Sequence, residues 1–157
     1  MEINEKVADF TLQTDEDKTV SLSDYSGQPV VLFFYPRADT PGCTIEACGF
    51  RDTFKKLLSA GAVVLGISRD TPKDQAKFRA KYELPYTLLA DVDEKVCKQF
   101  GVLKEKNMYG KTVMGIERTT FVIGPDRKLI HIFPKVKPEG HAEEVLALLK
   151  DWKKHEK

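Results

Sequence analysis

Residues 40–48 read TPGCTIEAC, which puts two thiols five residues apart. The spacing is neither the C-x-x-C of a dithiol reductase nor a zinc knuckle. Cys43 follows an apolar run, VVLFFY (residues 30–35), and precedes a helix-like segment beginning at Thr44. A cysteine at that junction faces the unpaired N–H groups and partial positive charge of a helix N-terminus. Such a place stabilises a thiolate over a thiol and makes the sulfur a nucleophile. Gly42 removes a side chain beside the sulfur, and Pro36 and Pro41 stiffen the loop. The Thr40 hydroxyl is expected to close over the turn and donate to the sulfur or to a substrate oxygen. The alternative is a buried structural cysteine with Thr40 as a local cap, and the residues alone leave both open. Cys48 reads either as a second reactive thiol or as a small apolar helix residue.

The elements around this pair alternate in type. Residues 9–13 and 19–22 read as two short strands around a polar turn. The run 30–35 and the run AVVLGI (62–67) read as strands covered on both faces. Between them, residues 44–58 have a helical period, with Ile45, Phe50, Phe54, Leu57 and Leu58 facing inward and Gly61 ending the helix. Thr71-Pro72 gives a cap and first-turn proline for a helix to about Tyr82. Residues 86–90 read as a strand. Residues 91–101 read as a short helix with Val92, Val96, Cys97 and Phe100 inward, and 101–115 as a long connection. A hairpin over 117–123 and 127–133 and an amphipathic helix over 139–152 follow, and the charged end KKHEK is expected to fray. This order predicts an α/β fold with a thioredoxin-like central mixed sheet flanked by helices, and an N-terminal β-hairpin extension, in one domain over residues 1–157.

Bulk properties narrow the function classes. The chain has 157 residues and a net charge of +1, so no electrostatic bias toward nucleic acid or anionic membrane is expected. No apolar run approaches the ~20 residues of a membrane span, and MEINEKVADF does not read as a secretory signal. A cytoplasmic location is expected, where thiols stay reduced. His131, His141 and His155 lack metal-ligand spacing, so neither metal nor other cofactor is expected. Cys97 reads as a core residue, Trp152 as an anchor of the last helix, and Arg51-Asp52 as a surface ion pair or loop support.

Pro36, Thr40 and Cys43 stand in the pattern Pro, three residues, Thr, two residues, Cys. With FYPRADTPGCTIEACGFRD, VVLGISRD, YTLLADVDEKVCKQFGV and ERTTFVIGPDRKLIHIF, the chain resembles the peroxiredoxins of the PrxQ, or bacterioferritin comigratory protein, class over nearly its whole length. The resemblance implies a thiol-dependent peroxidase acting on hydrogen peroxide or alkyl hydroperoxides. It implies that Cys43 is the peroxidatic cysteine, and that Thr40 and Arg118 hold the sulfur and the peroxide. Arg118 also stands out unaided: a guanidinium in a covered strand needs an anionic partner or a cleft. Phe34 and Tyr35 are expected to wall the pocket. The resemblance further implies that Cys48 resolves the Cys43 sulfenic acid as an intrachain disulfide, that thioredoxin, or in some members glutaredoxin, reduces it, and that the protein is a monomer. Positions five apart on an α-helix lie roughly 8–9 Å apart at Cα, beyond the about 7 Å reach of a disulfide. Joining them requires the first helical turns to unwind. A dithiol reductase would want C-x-x-C, a metal-binding domain lacks ligands, and a redox sensor could use the same cysteine chemistry.

Overall fold

The computed structural model describes residues 1–155. Strand β3 (Val30–Phe34) is its centre, every residue buried. It pairs in parallel with β4 (Val63–Ser68), which pairs in parallel with β5 (Thr87–Ala90). On its other side β3 pairs antiparallel with β8 (Thr119–Ile123), followed by β9 (Leu129–Phe133). β1 (Thr11–Thr14) and β2 (Thr19–Ser21) extend the far edge through an antiparallel pairing with β5. The seven-stranded mixed sheet thus runs β2-β1-β5-β4-β3-β8-β9. This is the α/β architecture and N-terminal hairpin extension expected from the sequence.

Alternation along β3 divides the core in two. Val31, Phe33 and Tyr35 face one layer, with α1 (Pro41–Ser59), α2 (Pro72–Tyr82) and α4 (His141–His155). Val30, Leu32 and Phe34 face the other, with α3 (Lys95–Gln99) and the N-terminal segment. α1 carries Cys43, Glu46, Ala47, Phe50, Thr53 and Leu57 inward, positions recurring at three or four residues as one helix face requires. Thr71 caps α2 as predicted, its hydroxyl accepting from the Asp74 amide.

Several expectations are corrected. α1 starts at Pro41, one turn before Thr44, because Pro at the first position and Thr40 as N-cap suit an earlier start. Ile45 is exposed, lying about 200° around the helix from Cys43. Leu58 is exposed too, just past the edge of the buried stripe. Val92 is exposed because α3 begins only at Lys95; the Asp91 carboxylate accepts from the amides of Val96 and Cys97 and holds the preceding turn open. The connection 101–115 contains a second sheet, β6 (Leu103–Met108) and β7 (Lys111–Ile116). Tyr109 and Gly110 both have positive φ, the signature of a tight two-residue hairpin turn. α4 continues through His155; Glu156 and Lys157, the end of the stretch expected to fray, lie outside the described residues.

Candidate active site

β3 ends at Phe34, and half-buried Pro36 follows where the chain leaves the sheet. The loop to α1 is held from two sides. The Asp70 carboxylate accepts from the Ala38 amide at 2.7 Å, and Asp39 binds Lys81 at 2.8 Å and the Tyr82 hydroxyl at 2.6 Å. α1 then starts against the sheet with Cys43 in its first turn, 1% exposed.

Arg118, the residue before β8, reaches across to this turn. Its main-chain carbonyl accepts from the Val136 amide. Its Nη1 lies 3.5 Å from Cys43 Sγ and donates to Glu46 Oε1 at 2.9 Å. The anionic partner that the sequence called for is thus Glu46, and the guanidinium is mostly covered. Burial opposes its charge, but Glu46 and Cys43 outweigh that and raise its pKa. Gly42 explains itself here: a Cβ would sit 2.9 Å from Arg118 Nη2. The glycine leaves room for the guanidinium as well as for access to the sulfur.

Glu46 is the residue that sequence reasoning missed. Its side chain is fully buried, and its Oε2 has no hydrogen-bond partner among the described residues. Burial pushes its carboxyl up to about 7, against the pull of Arg118. The available signal was its spacing: three residues after Cys43, it shares that helix face. His141, set aside on sequence, also contributes behind the site. Its Nε2 meets Thr120 Oγ1 at 2.7 Å and its Nδ1 meets Glu144 Oε1 at 2.9 Å, while its ring stands edge-on to Phe50 of α1. Burial lowers its pKa.

Other expected residues fall variously. The Thr40 hydroxyl donates to the Arg37 carbonyl at 2.8 Å rather than to the sulfur, because the tight turn before α1 brings that carbonyl within reach. Tyr35 is buried in the layer that contains Cys43. Phe34 is not: it belongs to the opposite layer, against Phe100 and Phe121, since neighbouring strand residues point to opposite faces. Cys48 is half-buried and Cys43 buried, and both are free thiols. Burial raises the pKa of Cys48, and a helix turns about 140° net over five residues, so the two sulfurs face different ways. Cys97 is a buried core thiol whose pKa burial raises further. Arg51 binds both Asp52 and the Tyr82 carbonyl, joining α1 to the end of α2. Among the described residues no three His, Cys, Asp or Glu side chains group as metal ligands. No described helix is long and apolar enough to cross a membrane.

The arrangement is one buried sulfur at a helix N-terminus with a cation beside it, which suits attack by a thiolate. The AhpC/TSA family model matches residues 3–132. The Bacillus subtilis peroxiredoxin Bcp is 45% identical over 151 residues, 96% of each chain. A PrxQ variant from Xylella fastidiosa superposes with a TM-score of 0.93 at 39% identity, covering 98% of each chain. The Xanthomonas campestris bacterioferritin comigratory protein, solved in work on its alkyl peroxide reduction activity, gives 0.88 at 41% identity, covering 91% of each. With a family match over most of its length and such relatives over nearly all of it, the chain belongs to the AhpC/TSA family, as a peroxiredoxin of the Bcp, or PrxQ, class.

Proposed function

We propose that this peroxidase reduces hydrogen peroxide and alkyl hydroperoxides at Cys43, with Cys48 as the resolving thiol. The observation that carries this reading is the Cys43 sulfur, buried in the first turn of α1 and 3.5 Å from a guanidinium. The Cys43 thiolate attacks one peroxide oxygen, the O–O bond breaks, and the leaving oxygen departs as water or alcohol after taking a proton. Arg118 and the Cys43 amide stabilise the charge that develops along that bond. The Thr40 hydroxyl, with its proton on Arg37, offers lone pairs to the peroxide O–H. Pro36 shapes the pocket wall at the end of β3.

The product is a sulfenic acid on Cys43, which Cys48 captures before further oxidation. Forming that intrachain disulfide requires the start of α1 to unwind. A dithiol of the thioredoxin type, or a glutaredoxin, returns both thiols. One thioredoxin-like domain over residues 1–157, working as a monomer in the reducing cytoplasm, suits this cycle.

The test is intact and peptide mass with alkylation after one equivalent of hydrogen peroxide. The expected result is a loss of two hydrogens mapped to Cys43–Cys48, with Cys97 still alkylated. Oxidation that stops at a Cys43 sulfenic acid would demote Cys48 to structure and call for an outside resolving thiol.

A further inference from the structure

Arg118 holds the Cys43 and Glu46 side chains, but among the described residues the main chain between the two cysteines meets a side chain from outside α1 at one atom. The Tyr86 hydroxyl donates to the Ala47 main-chain carbonyl at 2.6 Å. Ala47 is fully buried, and Tyr86 is 3% exposed. Among the described residues no other side chain from outside α1 bonds the main chain over residues 43–48. The tyrosine cannot follow a moving helix. Its ring stands edge-on to Phe33 at 5.7 Å and packs against Phe54 at 6.0 Å. The next residue, Thr87, is already paired with Leu65 of β4. Burial pushes its hydroxyl well above the ordinary tyrosine range, so it keeps its proton and remains a donor. Ala47 is the neighbour of Cys48, and the Cys48 main chain must travel toward Cys43 for the sulfurs to meet.

We propose that the Tyr86 hydroxyl, bonded to the Ala47 carbonyl, is a latch on the segment between the cysteines, and that its release limits how fast Cys48 captures oxidised Cys43. The inference rests on the intrachain resolution proposed above. In the gated step the Cys48 thiolate attacks the Cys43 sulfenic sulfur. The S–S bond forms, the S–O bond breaks, and hydroxide leaves as water with the proton lost by Cys48. Tyr86 takes no part in that exchange; it is a positioning residue. The latch also sets sensitivity to excess peroxide, because resolution competes with oxidation of the sulfenic acid to sulfinic acid.

The experiment uses Tyr86→Phe, which keeps the ring and removes one oxygen. Rapid mixing with hydrogen peroxide separates sulfenic acid formation, which depends on peroxide concentration, from disulfide formation, which does not. The first phase is expected to be unchanged, since among the described residues the Tyr86 hydroxyl bonds neither Cys43 nor Arg118. The second is expected to quicken about two- to tenfold, the range of one net hydrogen bond. The peroxide concentration giving half-maximal sulfinic acid rises by the same factor. Ile123→Val, on the other face of the sheet, serves as a control for general loosening and should leave the second phase alone. Equal acceleration in both variants would overturn the latch, as would an unchanged second phase in Tyr86→Phe. If the unaltered protein forms no Cys43–Cys48 disulfide, the resolution reading fails and the latch falls with it. A disulfide that forms at equal rates in both proteins removes the latch alone.

Discussion

Arg118 and Glu46 share one small buried space beside Cys43, and each carries a separate expectation. A free thiol of pKa near 8.5 is only about 3% thiolate at pH 7, so full ionisation gains roughly thirtyfold at most. A lower pKa also makes each thiolate a weaker nucleophile. The rest must come from donors aimed at the breaking O–O bond, where one donor is worth roughly 3–4 kcal/mol. Arg118→Ala should therefore lose about two to three orders of magnitude in peroxide rate, far more than its effect on thiolate fraction. Rapid kinetics set beside a spectroscopic thiolate titration would decide this; equal losses in both would reject the division. Glu46 predicts a pH effect on stability. Its carboxyl sits at about 7 in the fold against an ordinary 4.5. The native state then holds the proton more tightly than the unfolded chain, so this group's contribution falls as pH rises from about 4.5 to about 7 and levels off above. Denaturant unfolding of the reduced protein should show the unaltered chain losing stability relative to Glu46→Gln across that window. A relative gain instead would mean that the ion pair with Arg118 outweighs burial. That Cys43 and Arg118 deserved notice was legible in the sequence, because a cysteine at a strand-to-helix junction and an isolated charge in a covered segment stand out by type, and the structure sets the two side by side. Glu46 was not, because a glutamate in a helix ordinarily reads as solvated, and only the third dimension puts it under Arg118.

α1 is the element in which the chemistry and the fold conflict. Its inward stripe, Cys43, Glu46, Ala47, Phe50, Thr53 and Leu57, packs it to the sheet, while the proposed intrachain resolution requires its first turns to open. Gly49 weakens the helix just past Cys48, and Phe50, stacked on Phe33 at 4.6 Å, marks where firm packing resumes. The disulfide form should therefore show faster amide exchange over about residues 43–50, with α1 beyond Phe50 protected as in the dithiol form. Unchanged protection with the disulfide present would refute unwinding. Elements with a strong period, β3, β4 and α1, were readable because both faces of the strands and one face of the helix are apolar. β6 and β7 were not. Their residues, LKEKNM and KTVMGI, do not alternate cleanly, and β7 is exposed over its first four positions. Their turn uses Tyr109-Gly110 where Asn-Gly would have signalled a hairpin. Phe34 was misplaced for a related reason: a wholly apolar strand gives no sign of which face meets the site.

The surface of the whole molecule bears on its state of association. A stable dimer needs about 600–1,000 Å² of each partner's surface, with an apolar centre. Among the described residues the large exposed apolar side chains are Met1, Ile3, Ile45, Leu58, Val92, Tyr109, Val113 and Met114. They are divided among the N-terminus, α1, the turn before α3, and the β6–β7 hairpin. Of these described residues the hairpin carries Tyr109, Val113 and Met114 together, and Lys104, Lys106 and Lys111 stand on the same two strands. Like charges would meet if two copies paired edge to edge there, a common way of protecting a free strand edge. The proposed resolution within one chain would also remove any need for a neighbour's cysteine. Light scattering should therefore return a mass near 17.8 kDa in both the dithiol and the disulfide form. A dimer in either form would point to the hairpin, and Met114→Lys should then dissociate it. A dimer only after oxidation, with its disulfide mapped between chains, would instead move resolution out of the single molecule.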